Sequence, residues 1–124
     1  MFDLLKIKLF GLQPVAKISN QLLDNLIERD FKNNAALVST KLNNIISDSR
    51  AGKNRIAASI LKLADKNFDA LDELIKKANE DSRDIMLWAE YPRCAKLGFD
   101  DLGKKQIKQI YLDDFLEFSN WLKV

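Results

Sequence analysis

The chain has 124 residues, 47% hydrophobic and 31% charged, with a net charge of +2, no histidine, one cysteine and four glycines. These counts exclude an intrachain disulfide and histidine-based proton or metal chemistry, argue against a glycine-rich phosphate loop, and are too apolar for a disordered polymer. A chain of this length can bury one sizeable core, so residues 1–124 are expected to form a single helical domain.

Residues 1–13 form an apolar N-terminal arm in this reading. As a helix, the arm aligns Phe2, Leu5, Leu9 and Leu12, while Leu4, Ile7 and Phe10 spread apolar area around the remainder. It is not expected to be a signal peptide, because Asp3 replaces the positive flank, Lys6 and Lys8 interrupt the apolar run, and no small-residue cleavage site follows. Packing across the chain's own bundle is the preferred role, with a partner groove or a membrane surface as alternatives. No segment approaches the roughly 20 apolar residues of a membrane span, and the lone Cys94 fits a reducing compartment, so the expected location is cytoplasmic.

Pro14 and Pro92 are the only prolines, and Lys53 to Tyr91 contains neither proline nor glycine, so helices should dominate. The first helix is expected to begin after Pro14 and end near Asp30, with Val15, Ile18, Leu22 and Leu26 at helical spacing and Leu23 and Ile27 widening the stripe. A second, from Asn34 to Ser47, places Val38, Leu42, Ile45 and Ile46 on one side. Ser47 to Gly52 reads as a loop. The third, Lys53 to Lys66, carries Ile56, Ala57, Ile60, Leu61, Leu63 and Ala64 on a face wide enough to be central. A turn at Asn67 lets Asp69 cap a fourth helix that buries Leu71, Leu74, Ile75 and Ala78, with Asp72–Lys76 and Glu73–Lys77 as outer pairs. Asp81 caps a fifth, which buries Ile85, Trp88 and Ala89 and ends at Pro92. After a loop to Asp100, Asp101 caps a segment bearing Ile107, Ile110 and Tyr111. Asp113 caps a last helix with Phe115, Phe118 and Leu122 inward and Trp121 at its edge. The fold class is therefore all-α, a compact orthogonal bundle of about six or seven short helices. Ile60, Leu63, Leu74, Trp88 and Phe118, at the stripe centres, are the expected core.

The stretch NRIAASILKLADKNFDALDELIKKANEDSRDIMLWAEYPR, Asn54 to Arg93, resembles a family of small uncharacterised all-helical bacterial proteins. In that family an R-I-x-A-A-I-L-K-L helix precedes A-N-x-D-x-R-D and an A-E-Y-P ending. Weaker similarity extends from Ile110 to Leu122. The resemblance implies a helical fold and no established activity, so it supplies no catalytic residues.

Charge is unevenly distributed. Residues 1–66 hold 11 Lys and Arg against 6 Asp and Glu, whereas residues 67–124 hold 9 against 12. Arg55, Ser59, Lys62 and Lys66 recur along the third helix, with Arg50 and Lys53 just before, and give a candidate binding surface for phosphates or an acidic partner. The competing reading is a solvated face opposite an apolar stripe. A second candidate is the polar cluster Arg83, Asp84, Glu90, Tyr91 and Arg93, either a binding site or an internal set of ion pairs and caps. The fourth and fifth helices invite comparison with a helix-turn-helix, but Arg83 sits beside Asp84 and Glu90, a poor combination for a phosphate backbone. The acid pairs Glu80-Asp81, Asp100-Asp101 and Asp113-Asp114 fit helix starts. Cys94 has no histidine to act as its base.

The expected function is a non-enzymatic bacterial protein–protein interaction module, an adaptor or neutralising partner, with no cofactor and no metal. The alternatives are a nucleic-acid-associated factor using the basic helix around residues 50–66 and a carboxylate-based hydrolase.

Overall fold

Short polar side chains set where the helices begin. In a computed structural model that describes residues 17–97 and 104–123, helix α1 spans Asn20–Phe31 because Ser19 Oγ accepts the Leu22 N–H at 3.0 Å. The start is thus later than the sequence spacing predicts. Ile18 lies before the cap and is nevertheless buried, the placement of a hydrophobic staple. The N-terminal arm 1–13, the Pro14–Val15 start and the Asp101 cap lie outside the described residues. Lys32, in the left-handed region at φ 37°, breaks the helix, and a 3-10 turn over Lys32–Asn34 leads into α2, Ala35–Leu42.

Helix α2 stops before Ile45 and Ile46, so these two do not share its inner face. Ile45 is buried while Ile46 is 76% exposed, a correction that follows from the loss of helical periodicity after Leu42. Asn79 pins this connection by accepting the Ile46 N–H and donating to Asn44 O, each at 3.0 Å. Helix α3, Arg50–Ala64, starts earlier than the predicted loop allows, because Ser49 Oγ accepts from Gly52 N–H at 3.0 Å. Only Ser47 and Asp48 of that loop precede the cap.

Helix α3 is the central element and packs against α1, α4 and α5, the last being Ser82–Glu90 and the middle one Leu71–Glu80. Its buried set, Asn54, Ile56, Ala57, Ala58, Ser59, Ile60, Leu61 and Ala64, runs around more than one face, and the four small residues let neighbouring backbones approach. Asp65 and Lys66, both left-handed at φ 49° and 67°, end it two residues before the expected boundary. Asn67, not Asp69, provides the next cap, accepting the Asp69 N–H at 3.0 Å at the start of a 3-10 turn. Asp72 pairs across the fold with Lys41 at 2.7 Å instead of with Lys76. Asp81 caps α5 as its sequence position predicts, accepting the Arg83 N–H at 3.0 Å.

Pro92 does not open a loop. It occupies the first position of a short helix α6, Pro92–Leu97, where its missing N–H costs nothing. The predicted break at Asp113 is also absent, and one helix, α7, runs from Lys104 to Trp121. Asp113 lies inside it and accepts from Gln109 Nε2 one turn earlier at 2.9 Å. The far end of α7 is clamped to α1: Arg29 donates to Trp121 O at 2.6 Å and its guanidinium lies 4.9 Å from the Trp121 ring centre. The described residues form an all-α, multi-helix bundle without a strand. No described helix is long and apolar enough to cross a membrane.

Candidate functional site

The basic face read along the third helix is not one solvated surface. Arg55 turns inward and makes a bidentate pair with Glu90 of α5, Nε to Oε2 at 2.8 Å and Nη2 to Oε1 at 2.7 Å. Glu90 is buried, and its hydrogen bonds to the guanidinium hold Arg55 above its ordinary pKa. Ser59 is fully buried and donates its hydroxyl to Arg55 O at 3.0 Å. Lys62 reaches Glu117 of α7 at 3.1 Å. Lys66 stands past the helix end in the left-handed turn. Arg50 and Lys53 line a cleft of about 290 Å³ between α1, α2 and the start of α3, together with Asp24 and the amides of Asn20, Asn43 and Asn54.

The polar cluster divides in the same way. Arg83 is exposed and pairs with Asp81 at 3.2 Å, and that hydrogen bond holds the Asp81 carboxyl below its usual range. Asp84 is exposed nearby on the first turn of α5. Glu90 belongs to the Arg55 pair. Tyr91 is buried edge-on to Tyr111 of α7 with ring centres 5.4 Å apart. Arg93 crosses to α7, pairing with Asp114 at 2.8 Å and Glu117 at 3.3 Å.

Asp114 is the deepest of these acids, with no exposed surface. Its Oδ1 accepts the Arg93 N–H at 3.2 Å and its Oδ2 accepts the Cys94 N–H at 3.1 Å, so a side chain of α7 caps the start of α6. Burial, reinforced by the adjacent Asp114, pushes the Cys94 thiol up to about 12. The thiol is consequently un-ionised at neutral pH and is a poor nucleophile. Burial likewise raises the Tyr111 phenol. This network ties α3, α5, α6 and α7 together, and its carboxylates are already engaged by guanidinium, ammonium or backbone N–H groups. Among the described residues no group of three histidine, cysteine, aspartate or glutamate side chains is placed to hold a metal ion.

A different surface emerges where three expected core residues fall short of burial. Leu63 and Leu74 are only partly buried and Trp88 is 49% exposed, whereas Ile60 and Phe118 are buried as the stripes predict. Asp81 is the only residue between α4 and α5, and a groove lies where this junction meets the end of α3. The groove measures about 510 Å³. Leu63, Leu74, buried Ile85 and Trp88 supply its apolar surface, with Glu80, Asp81 and Asp84 on its edge beside Lys77. Asp84, Ile85 and Trp88 share one face of α5 at spacings of one and four, just past the Asp81 cap, which explains why acids border apolar side chains here. The sequence did carry this spacing, but Trp88 at the centre of an apolar stripe reads equally well as core.

Comparison with known proteins gives no match to a family model, a curated protein or a solved structure.

Proposed function

We propose that this chain is a non-enzymatic interaction module of the bacterial cytoplasm, an adaptor or a neutralising partner, that binds another protein through the groove formed by α3, α4 and α5. The observation that carries this reading is Trp88, a large aromatic side chain left half-exposed beside Leu63 and Leu74. Trp is over-represented at the energetic centres of protein interfaces, where its broad ring can be desolvated by a partner. The engagement of Glu90, Asp114 and Glu117 by Arg55, Arg93 and Lys62, and the raised Cys94 thiol, support a structural role for these groups over hydrolytic or nucleophilic chemistry. Nucleic-acid binding through residues 50–66 draws weaker support, since Arg55 and Lys62 are committed to carboxylates.

The test is affinity capture from cells with the wild-type chain and with a Leu74→Glu, Trp88→Ala double variant as parallel baits. A specific protein retained by the first and lost from the second, with both baits folded, supports the reading. Equal retention by both baits would refute a role for this groove.

A further inference from the structure

The groove has a sign as well as a shape. Its apolar surface comes from Leu63, Leu74, Ile85 and Trp88, and its edge carries three carboxylates, Glu80, Asp81 and Asp84, against the single ammonium of Lys77. Asp81 is engaged by Arg83, but Glu80 and Asp84 have no cation within ion-pair distance among the described residues. Three acids against Lys77 and the nearby Arg83, which also acts on Asp84, leave the trough's edge net acidic, and this disfavours phosphate backbones and anionic lipid surfaces. They favour a ligand that brings apolar and cationic groups together.

Resting on the docking role proposed above, we infer that the groove's occupant is a cationic amphipathic helix of a partner protein. Apolar side chains at i, i+3 or i+4, and i+7 lie against Leu63, Leu74 and Trp88, and Lys or Arg residues flanking them face Glu80 and Asp84. Charge complementarity selects this partner: an anionic helix of the same apolar pattern meets like charges along the edge. The junction of α4 and α5 beside the groove is anchored twice, by the Asp81 cap on α5 and by the Asn79 bridge from the end of α4 to the α2–α3 connection.

The experiment uses the full chain and two synthetic helices of about 18 residues, identical in their leucine positions and differing only in lysine or glutamate on the polar face. The indole N–H signals of Trp88 and Trp121 are followed by nuclear magnetic resonance. The expected result is a shift of Trp88 with Trp121 unmoved, affinity at least about tenfold higher for the lysine peptide, and weakening of that preference by salt. Glu80→Gln with Asp84→Asn should remove most of the preference, and Glu80→Lys with Asp84→Lys should reverse it. Asp81 is left in place because it caps α5. Equal affinity for both peptides overturns the charge assignment while leaving the docking role intact. No Trp88 shift with either peptide, or a Trp88 shift that follows protein concentration alone and so marks a second copy as occupant, overturns the inference. Equal retention by both capture baits bears instead on the docking role itself.

Discussion

Asp114 of α7 caps the first turn of α6 through the backbone of Cys94, with Oδ2 3.1 Å from the Cys94 N–H. Its other oxygen serves Arg93 twice, through the backbone N–H at 3.2 Å and Nη1 at 2.8 Å. Helix caps come from residues adjacent in sequence as a rule. Here the cap arrives from 20 residues downstream, so the short helix α6 depends on α7 for its start.

Asp114→Ala is expected to destabilise the chain by about 1 to 3 kcal/mol, the cost of leaving the buried Cys94 N–H and the partly buried Arg93 N–H without an acceptor. Arg93 can turn to water, since its side chain is 45% exposed, which keeps the loss below that of a stranded buried charge. Asp114→Asn should fall in between because it retains one acceptor. Urea unfolding measures both, and amide exchange at Arg93 and Cys94 should accelerate first. Unchanged exchange there would contradict the capping role.

Arg55 and Glu90 should behave asymmetrically. Glu90 is 5% exposed at its side chain and Arg55 26%, so Arg55→Ala strands a buried carboxylate and should cost about 3 to 5 kcal/mol, more than Glu90→Ala. Replacing both together, Arg55→Met with Glu90→Leu, should recover most of the loss, because a packed apolar pair avoids the desolvation of two charges. A double-mutant cycle in urea checks the coupling. Additive losses would mean that the pair contributes nothing beyond its separate contacts.

Stability should decline in alkaline solution through Cys94. The unfolded thiol ionises near its ordinary value of 9.0, whereas the folded one keeps its proton up to about 12. Between these values the unfolded state binds fewer protons, so stability falls as pH rises across this window and is independent of Cys94 ionisation below it. Cys94→Ala should flatten that part of the profile in denaturant unfolding followed from pH 8 to 11. A thiol-reactive dye at pH 8 should label the native chain far more slowly than the unfolded one.

Leu61 and Leu74, both on apolar stripes, should separate by their surroundings. Leu61 is fully buried and Leu61→Ala is expected to cost about 2 to 5 kcal/mol. Leu74→Ala, at the groove wall, should cost less than about 1.5 kcal/mol in the free protein, because part of its surface is already hydrated. Equal losses in urea unfolding would place Leu74 in the core and remove the groove wall.

Much of the fold could be read locally. The Asp81 cap, the punctuation at Asn67 and the wide apolar face from Ile56 to Ala64 all reappear, because capping and periodicity act within a turn or two of one helix. Asp114 was legible only in part. Ile110, Tyr111, Asp114 and Phe118 follow one helical face, so an acid stands at a core position of an unbroken helix. The neighbouring pair Asp113-Asp114 reads as a helix start, and that local resemblance hides the longer period. Ile46 was misplaced for a related reason: nothing between Asn43 and Ser47 signals strongly that the helix has already ended at Leu42.

By itself the sequence determined the helical class, the central position of the Lys53–Ala64 stretch and the absence of histidine chemistry, since these follow from composition and short-range spacing. Only the tertiary structure decided which charges face solvent and which apolar side chains remain uncovered. Arg55 meets Glu90 35 positions away, and Lys62 meets Glu117 at 55. Helical periodicity assigns a face to each residue but not the element that face will meet. The same limit hid the groove: Leu63, Leu74 and Trp88 each occupy an apolar stripe, yet Leu63 and Leu74 sit at the core's margin and Trp88 stays half-exposed where they line an opening.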